Sequence, residues 1–195
     1  DPSFTNSLLY VAGDRSFNSS DDVVNRILTD RLPFQRVTGC VLSNELIDAM
    51  PVHRVVVEQG KLHELYVECK DGKFNEVLAD PSVTAIQERL TDEGIILAEG
   101  QRAEVCLTLE SWIQDVSQVL DRGFVLTVDY GHVAKELYAA SRNRGTLRCY
   151  YKHTLSANPY VRVGEQDITA HVDFTALSEL GKRSGLSGQT LVTQR

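Results

Sequence analysis

The sequence predicts an α/β fold interrupted by an antiparallel insertion, on three observations. The apolar run Phe124–Val128 follows a helical pattern and reads as a strand covered on both faces of a parallel sheet. A second run, Cys40-Val41-Leu42, reads as a buried strand that feeds directly into Asn44, Glu45, Asp48 and His53, which is how α/β enzymes display chemistry at a strand's carboxyl end. Between them, residues 53–79 alternate with a period of two and are punctuated by Gln59-Gly60 and Asp71-Gly72, which predicts an antiparallel meander.

The remaining elements fit that order. Asn18–Asp22 reads as a loop or cap before a helix carrying Val23, Val24, Ile27 and Leu28, closed near Pro33. Pro51 ends any short helix after Glu45. Asp80-Pro81 opens a helix with Val83, Ile86 and Leu90 on one face, ending near Gly94. A clearer helix has Thr108 as its cap and Leu109, Trp112, Ile113, Val116, Val119 and Leu120 on its apolar stripe, and Gly123 stops it. Helix followed by strand makes a crossover unit, so Asp129-Tyr130-Gly131 falls at a strand's carboxyl end. Residues 145–153 alternate like a strand, and Asp173 is placed to cap a helix bearing Phe174, Leu177 and Leu180, with Val172 and Leu177 as its hydrophobic staple.

Composition narrows the function classes. The 195 residues, 42% hydrophobic and 24% charged, suit one globular domain of ordinary size. A net charge of -7 without a Lys/Arg cluster argues against nucleic acid and favours a protein or small-molecule partner. No apolar run approaches the ~20 residues that span a bilayer, and no signal-peptide core occupies residues 1–30. Cys40, Cys69, Cys106 and Cys149 form no Cys-x-x-Cys pair and read as reduced, small buried hydrophobes. Neither Cys149 with His153 nor His171 with Asp173 completes a ligand set, so no metal is expected.

Several polar residues have two readings. Glu45 and Asp48 are either a polar loop or paired carboxylates beyond a strand. Asp129 is either a cleft carboxylate or a cap for the helix beginning near His132, and Tyr130 either a site group or a packing aromatic. The basic and aromatic groups of residues 145–153 line a channel or face solvent on an edge strand. Asp173 is accounted for as a cap. Asp167, Thr169 and His171 have no such simple duty, although a loop network would satisfy them, and His171 is a candidate general base.

The blocks SNELIDAMPVHRV, GFVLTVDYG, GTLRCYYKH and QDITAHVDFTAL, in that order from about residue 38 onward, resemble the MidA-type class I methyltransferases. That family includes the mitochondrial complex I assembly methyltransferase. The resemblance implies a Rossmann-like class I methyltransferase sheet, here its later portion. Residues 1–52 and 106–195 then belong to the α/β core, and 53–105 to the antiparallel insertion with its short helix. It also implies methyl transfer from S-adenosylmethionine to an arginine nitrogen of a protein, a respiratory complex I type subunit being the best-known substrate class. Such families place a glycine-rich cofactor turn before the segment seen here. The 13 glycines include no Gly-x-Gly, so that turn is expected upstream of residue 1.

On these blocks Glu45, Asp48 and His171 are the catalytic candidates. Asn44 and Asp129 are assigned to the cofactor, and Pro51, His53, Tyr130, Asp167 and Thr169 to the substrate. Glu45 and Asp48 suit a guanidinium, which is always charged and donates bidentate hydrogen bonds to carboxylates. A non-catalytic assembly protein that retains the fold is the alternative. A hydrolase is disfavoured because no Gly-x-Ser-x-Gly elbow is present. The expected compartment is a bacterial cytoplasm, a mitochondrial matrix or a plastid stroma.

Overall fold

The structure is a computed structural model that describes residues 35–152 and 154–194. The helix expected around Val23–Leu28 therefore lies outside the described residues. Strand β1 (Val37–Asn44) pairs in parallel with a strand at Leu120–Val128, in a register that sets Asn44 opposite Val128, so both strands end level. The meander is formed by β2 (His53–Glu58), β3 (Lys61–Lys70) and β4 (Lys73–Ala79). Its two turns have positive φ at both central positions, Gln59 at 54° with Gly60 at 72°, and Asp71 at 52° with Gly72 at 71°. That geometry matches the right-handed twist of a two-residue hairpin, which is why Gly sits second in each.

Helix α1 (Ala85–Asp92) leads to β5 (Arg102–Val105), a strand the sequence reading did not single out. β5 pairs antiparallel with β2 and completes a sheet in the order β4-β3-β2-β5. Beneath it, Val55, Ile86, Leu90, Leu97, Ala103 and Val105 share a core with Ala134, Leu137 and Tyr138 from the later chain. Gln101 is buried within this region and fully used: its Oε1 accepts from the Ala98 amide at 2.9 Å, and its Nε2 donates to the Tyr138 carbonyl at 2.9 Å.

Helix α2 (Thr108–Val119) buries Leu109, Ile113, Val116 and Val119 of the expected stripe, with Trp112 half-buried. Leu120, also expected on that stripe, instead begins β6 (Leu120–Val128), and Gly123 lies inside this strand rather than stopping the helix. Its cap position is Leu107 with no side-chain cap, so Thr108 begins the helix instead of capping it. After β7 (Gly131–His132) come α3 (Ala134–Leu137) and the sheet β10-β8-β9, made of β8 (Arg148–Tyr151), β9 (Thr154–Ser156) and β10 (Asp167–Thr169). β8 is the central strand of that sheet, not an edge. β11 (Val172–Asp173) pairs in parallel with β7 and opens α4 (Phe174–Arg183). Asp173 Oδ1 accepts from the amides of Thr175 at 2.9 Å and Ala176 at 3.1 Å, so it caps α4 as expected. Ile47, Leu109, Ile113, Val172, Ala176 and Leu180 form a second core, with Leu177 packed against it.

Two further expectations need correction. β1 and β6 are parallel neighbours, but their side chains are not buried: Leu42 is 63% and Phe124 78% exposed. Among the described residues the pair forms a two-stranded sheet. Cysteine burial holds only for Cys149, whose thiol pKa is raised by burial, whereas Cys40 and Cys69 are exposed and Cys106 is half-buried. Among the described residues no helix is long and apolar enough to cross a membrane.

Candidate active site

β1 and β6 deliver their polar sequels side by side. Beyond β1 the chain turns sharply: Glu45 has φ of 46°, its amide donates to the Val128 carbonyl at 2.9 Å, and the Met50 amide donates to the Ile47 carbonyl at 3.0 Å. Beyond β6, Asp129 reaches across to that turn. Its Oδ2 accepts from the amides of Ile47 at 2.9 Å, Leu46 at 3.2 Å and Asp48 at 3.4 Å, while Oδ1 accepts from the Tyr130 amide at 2.8 Å. One carboxylate thus satisfies successive amides of a turn that makes few backbone bonds of its own. The cap role foreseen for Asp129 is real, but it serves residues 46–48 and not the helix after His132.

The turn gathers three carboxylates. Asp48 is buried, at 8% exposure, and its Oδ1 has no hydrogen-bond partner among the described residues. Burial, followed by the charges of Asp129 and Glu45, raises its pKa to about 6. Glu45 is exposed, and its charge raises the pKa of the Tyr130 hydroxyl, also exposed. Asn44 is exposed at the end of β1. A buried carboxylate with one oxygen left unpartnered suits a cation bearing N–H groups. The acceptor oxygens and net negative charge of this turn therefore favour a cationic group. Among the described residues no three His, Cys, Asp or Glu converge as a metal site.

The second wall comes from the QDITAHVDF segment. The Ala170 amide donates to the Asp48 carbonyl at 2.9 Å, and the Val172 amide to the Tyr130 carbonyl at 2.8 Å, so residues 170–172 are laced to both acidic turns. Thr169 and Pro51 line a cleft of about 390 Å³ running from the turn toward β3. His53 stands beside it, with Nδ1 2.6 Å from Glu64 Oε1. Asp167 is exposed in β10, opposite Tyr150.

His171 points elsewhere. Its ring lies 5.3 Å from that of His132 and lines a cavity of about 20 Å³ with Glu104, Tyr138 and Asp173. Burial, then the neighbouring His132, Arg142 and Arg148, lowers its pKa and keeps it neutral at physiological pH. Its amide donates to Thr146 Oγ1 at 3.1 Å, and Thr146 in turn donates its amide and hydroxyl to Glu104 Oε2 at 2.6 and 3.1 Å. Sequence reasoning missed that buried brace. It also missed the clasp in which Glu76 accepts from Arg54, from Arg102 at 2.8 Å and from Tyr160 at 2.9 Å. Burial resists ionisation of Glu76, but these three donors outweigh it and hold its carboxyl below the usual range. The alternating charge and aromatic pattern of β2, β4 and residues 157–166 was the available signal, but it names no partner.

A family model described as "Putative S-adenosyl-L-methionine-dependent methyltransferase" matches residues 17–192. The chain belongs to this methyltransferase family. Among similar proteins, the mitochondrial protein arginine methyltransferase NDUFAF7 homolog of Caenorhabditis elegans is 31% identical over 150 residues, 72% of this chain and 32% of that protein. The Drosophila melanogaster homolog is 26% identical over 155 residues, 74% of this chain and 32% of its own length. A crystal structure of a "likely methyl transferase from Burkholderia thailandensis bound to S-adenosyl-homocysteine" matches with a TM-score of 0.74 and 35% identity, covering 82% of this chain and 41% of that one. The fold is accordingly that of these methyltransferases. The chain spans about a third of the length of the curated relatives it matches.

Proposed function

We propose that this family member transfers a methyl group from S-adenosylmethionine to an arginine nitrogen of a partner protein. The observation that carries this reading is the buried Asp48 carboxylate, whose Oδ1 has no hydrogen-bond partner among the described residues, close in sequence to Glu45 and in a turn fixed by Asp129. Two of the similar proteins bear the name of arginine methyltransferases, and a structural neighbour binds S-adenosyl-homocysteine, which supports both the chemistry and the cofactor.

When bound, S-adenosylmethionine supplies an electrophilic methyl group on a positively charged sulfur, and the rest falls to the chain. Asp48 and Glu45 accept hydrogen bonds from the guanidinium and fix the attacking nitrogen's direction, which removes orientational entropy from the barrier. A methylated guanidinium nitrogen must shed a proton. Asp48, with its pKa raised to about 6, is a stronger proton acceptor than an ordinary aspartate, yet it remains ionised at neutral pH. Asn44, exposed where β1 ends, is assigned to the cofactor side, and Asp129 contributes by holding the turn. His171, set in its own cavity, is not given the proton-moving role. Pro51, His53, Tyr130, Asp167 and Thr169 are assigned to the protein substrate. A respiratory complex I type subunit is the proposed substrate. The mitochondrial relatives favour an organelle matrix or the equivalent bacterial compartment.

The experiment is labelled-methyl transfer to arginine peptides by the protein and by its Glu45→Gln and Asp48→Asn variants. Each substitution keeps shape and removes charge. A rate loss of about tenfold or more, equivalent to ~1.4 kcal/mol, is expected. Wild-type rates in both variants refute the guanidinium-orienting role.

A further inference from the structure

The cleft next to the acidic turn is built differently from the turn itself. It measures about 390 Å³, and Met50, Pro51, Val67, Leu147 and Ile168 supply apolar walls. Its charged lining residues are already occupied. Glu64 takes His53 Nδ1 at 2.6 Å and the Ser82 amide at 2.6 Å, while Arg54 is committed to Glu76 and to the Tyr160 hydroxyl at 3.1 Å. The buried Arg54 Nε is left without a partner among the described residues. Apart from it and Thr169, what remains for a ligand is mainly apolar surface, and that surface favours an apolar group over a polar one. The cleft is also open. Val67 is 51% and Ile168 44% exposed, so it can admit one part of a larger molecule lying across it.

The geometry points to a side-chain subsite: the cleft seats an apolar residue of the protein substrate, close in sequence to the arginine held at Glu45 and Asp48. This rests on the arginine reading above. Continuity with the acidic turn selects this occupant. Ala49, Met50, Pro51 and Val52 are at once the exit of that turn and one wall of the cleft, and the opposite wall begins at Ala170, whose amide is bound to the Asp48 carbonyl. Val52 lies four residues from Asp48, and at ~3.5 Å per residue an extended chain covers that span in about four positions. A substrate with its cation at the acidic turn therefore presents a neighbour within about four residues to the cleft. Tyr160 makes the far wall rigid. Its hydroxyl is fixed between Glu76 and Arg54, and its ring stands 6.5 Å from that of Phe74.

The test is methylation of a peptide library with a central arginine and degenerate flanks, using tritiated S-adenosylmethionine, by the protein and by Val67→Lys and Ile168→Lys. Both positions are about half exposed, so the lysines fold with their charge at the cleft mouth. The protein is expected to select Leu, Ile, Val or Phe at one flanking position. Each variant should raise KM for the best such peptide about tenfold with kcat within about twofold, and move the preference toward Asp or Glu. Val83→Lys, at an exposed apolar position that does not line the cleft, should leave the profile unchanged. A flat profile, or one that neither cleft variant moves, overturns the subsite.

A parallel library with central lysine separates the two readings. An apolar preference among lysine peptides, lost in the variants while arginine peptides stay inert, removes the arginine reading and keeps the subsite. Arginine methylation indifferent to flanks does the reverse. Fluorescence anisotropy of a labelled Arg-containing peptide with leucine at every flanking position tests the cleft without turnover. Equal affinity for the protein and for Val67→Lys overturns it.

Discussion

The carboxylate of Asp129 holds the amide of Ile47 at 2.9 Å, joining the end of one parallel strand to the turn that follows its neighbour. Because the same oxygen also receives the amides of Leu46 and Asp48, the conformation that presents Glu45 and Asp48 is dictated from β6 and not by local helix formation. Asp129 thus acts on the acidic site twice, as a scaffold and as a like charge.

Asp129→Asn separates these effects. Asparagine has a single acceptor oxygen and cannot serve both the 46–48 amides and Tyr130, so urea unfolding should show a loss of about 1–3 kcal/mol. Removing the charge should also lower the Asp48 pKa from about 6, as read by carboxyl carbon NMR. An unchanged Asp48 pKa would assign the shift to burial and the Glu45 charge.

Asp48 carries a second pH signature. Its folded pKa of about 6 lies above the ordinary 3.8, so the folded state holds the proton more tightly and stability falls as pH rises between those values. Asp48→Asn lacks this penalty. Its melting temperature should match wild type near pH 4 and exceed it above pH 6. Allowing for solvent screening, a gain of ~1 kcal/mol corresponds to about 2–4 °C for a chain of this size. The methyl-transfer rate of the unaltered protein should rise with pH across the same interval, as Asp48 becomes able to accept a proton.

Much of this was legible because local rules and tertiary structure agree. The Gln59-Gly60 and Asp71-Gly72 turns specify hairpins wherever they occur, and Asp173 caps α4 whatever surrounds it. The crossover of α2 into β6 likewise placed Asp129 beside the turn after β1. The exposure of Leu42 and Phe124 was not legible, because apolar character states what a strand can bury and not what lies across it among the described residues. The Glu104–Thr146–His171 brace was invisible for another reason. Its members are 42 and 25 residues apart, and no period links them. Local spacing likewise cannot show that Pro51 and Thr169 line one cleft.

Gly131 tests the lacing between β7 and β11. A Cβ there would overlap the Val172 carbonyl oxygen and come within 2.8 Å of the Phe174 ring. The conflict is steric, with backbone on one side, so side-chain rotation cannot relieve it. Gly131→Ala should cost about 1–3 kcal/mol in denaturant unfolding. It should also weaken peptide methylation, because the displaced strand carries the contact of Val172 with the Tyr130 carbonyl. Wild-type stability would mean that β11 can move freely away from β7.

Glu93 supplies a pH effect remote from the acidic turn. It stands at the end of α1 with its side chain only 6% exposed, and neither of its carboxyl oxygens nor Asp173 Oδ2 receives a hydrogen bond from the described residues. Burial, followed by the negative charge of Asp173, pushes its pKa up to about 8, while Arg89, 3.9 Å away, opposes the shift and Asp92 adds to it. Glu93 is therefore protonated in the fold at neutral pH. Asp173 is the α4 cap, so a charged Glu93 would oppose the carboxylate that starts that helix. The folded state binds one more proton than the unfolded chain between the ordinary value of 4.5 and about 8, and stability should decline with rising pH across that window and level off above it. Glu93→Gln mimics the protonated carboxyl and removes the dependence. Its melting temperature should gain steadily on wild type from pH 5 to 8, with a constant gap beyond. Curves that run parallel from pH 5 to 9 would show that Glu93 ionises in the fold as it does in water.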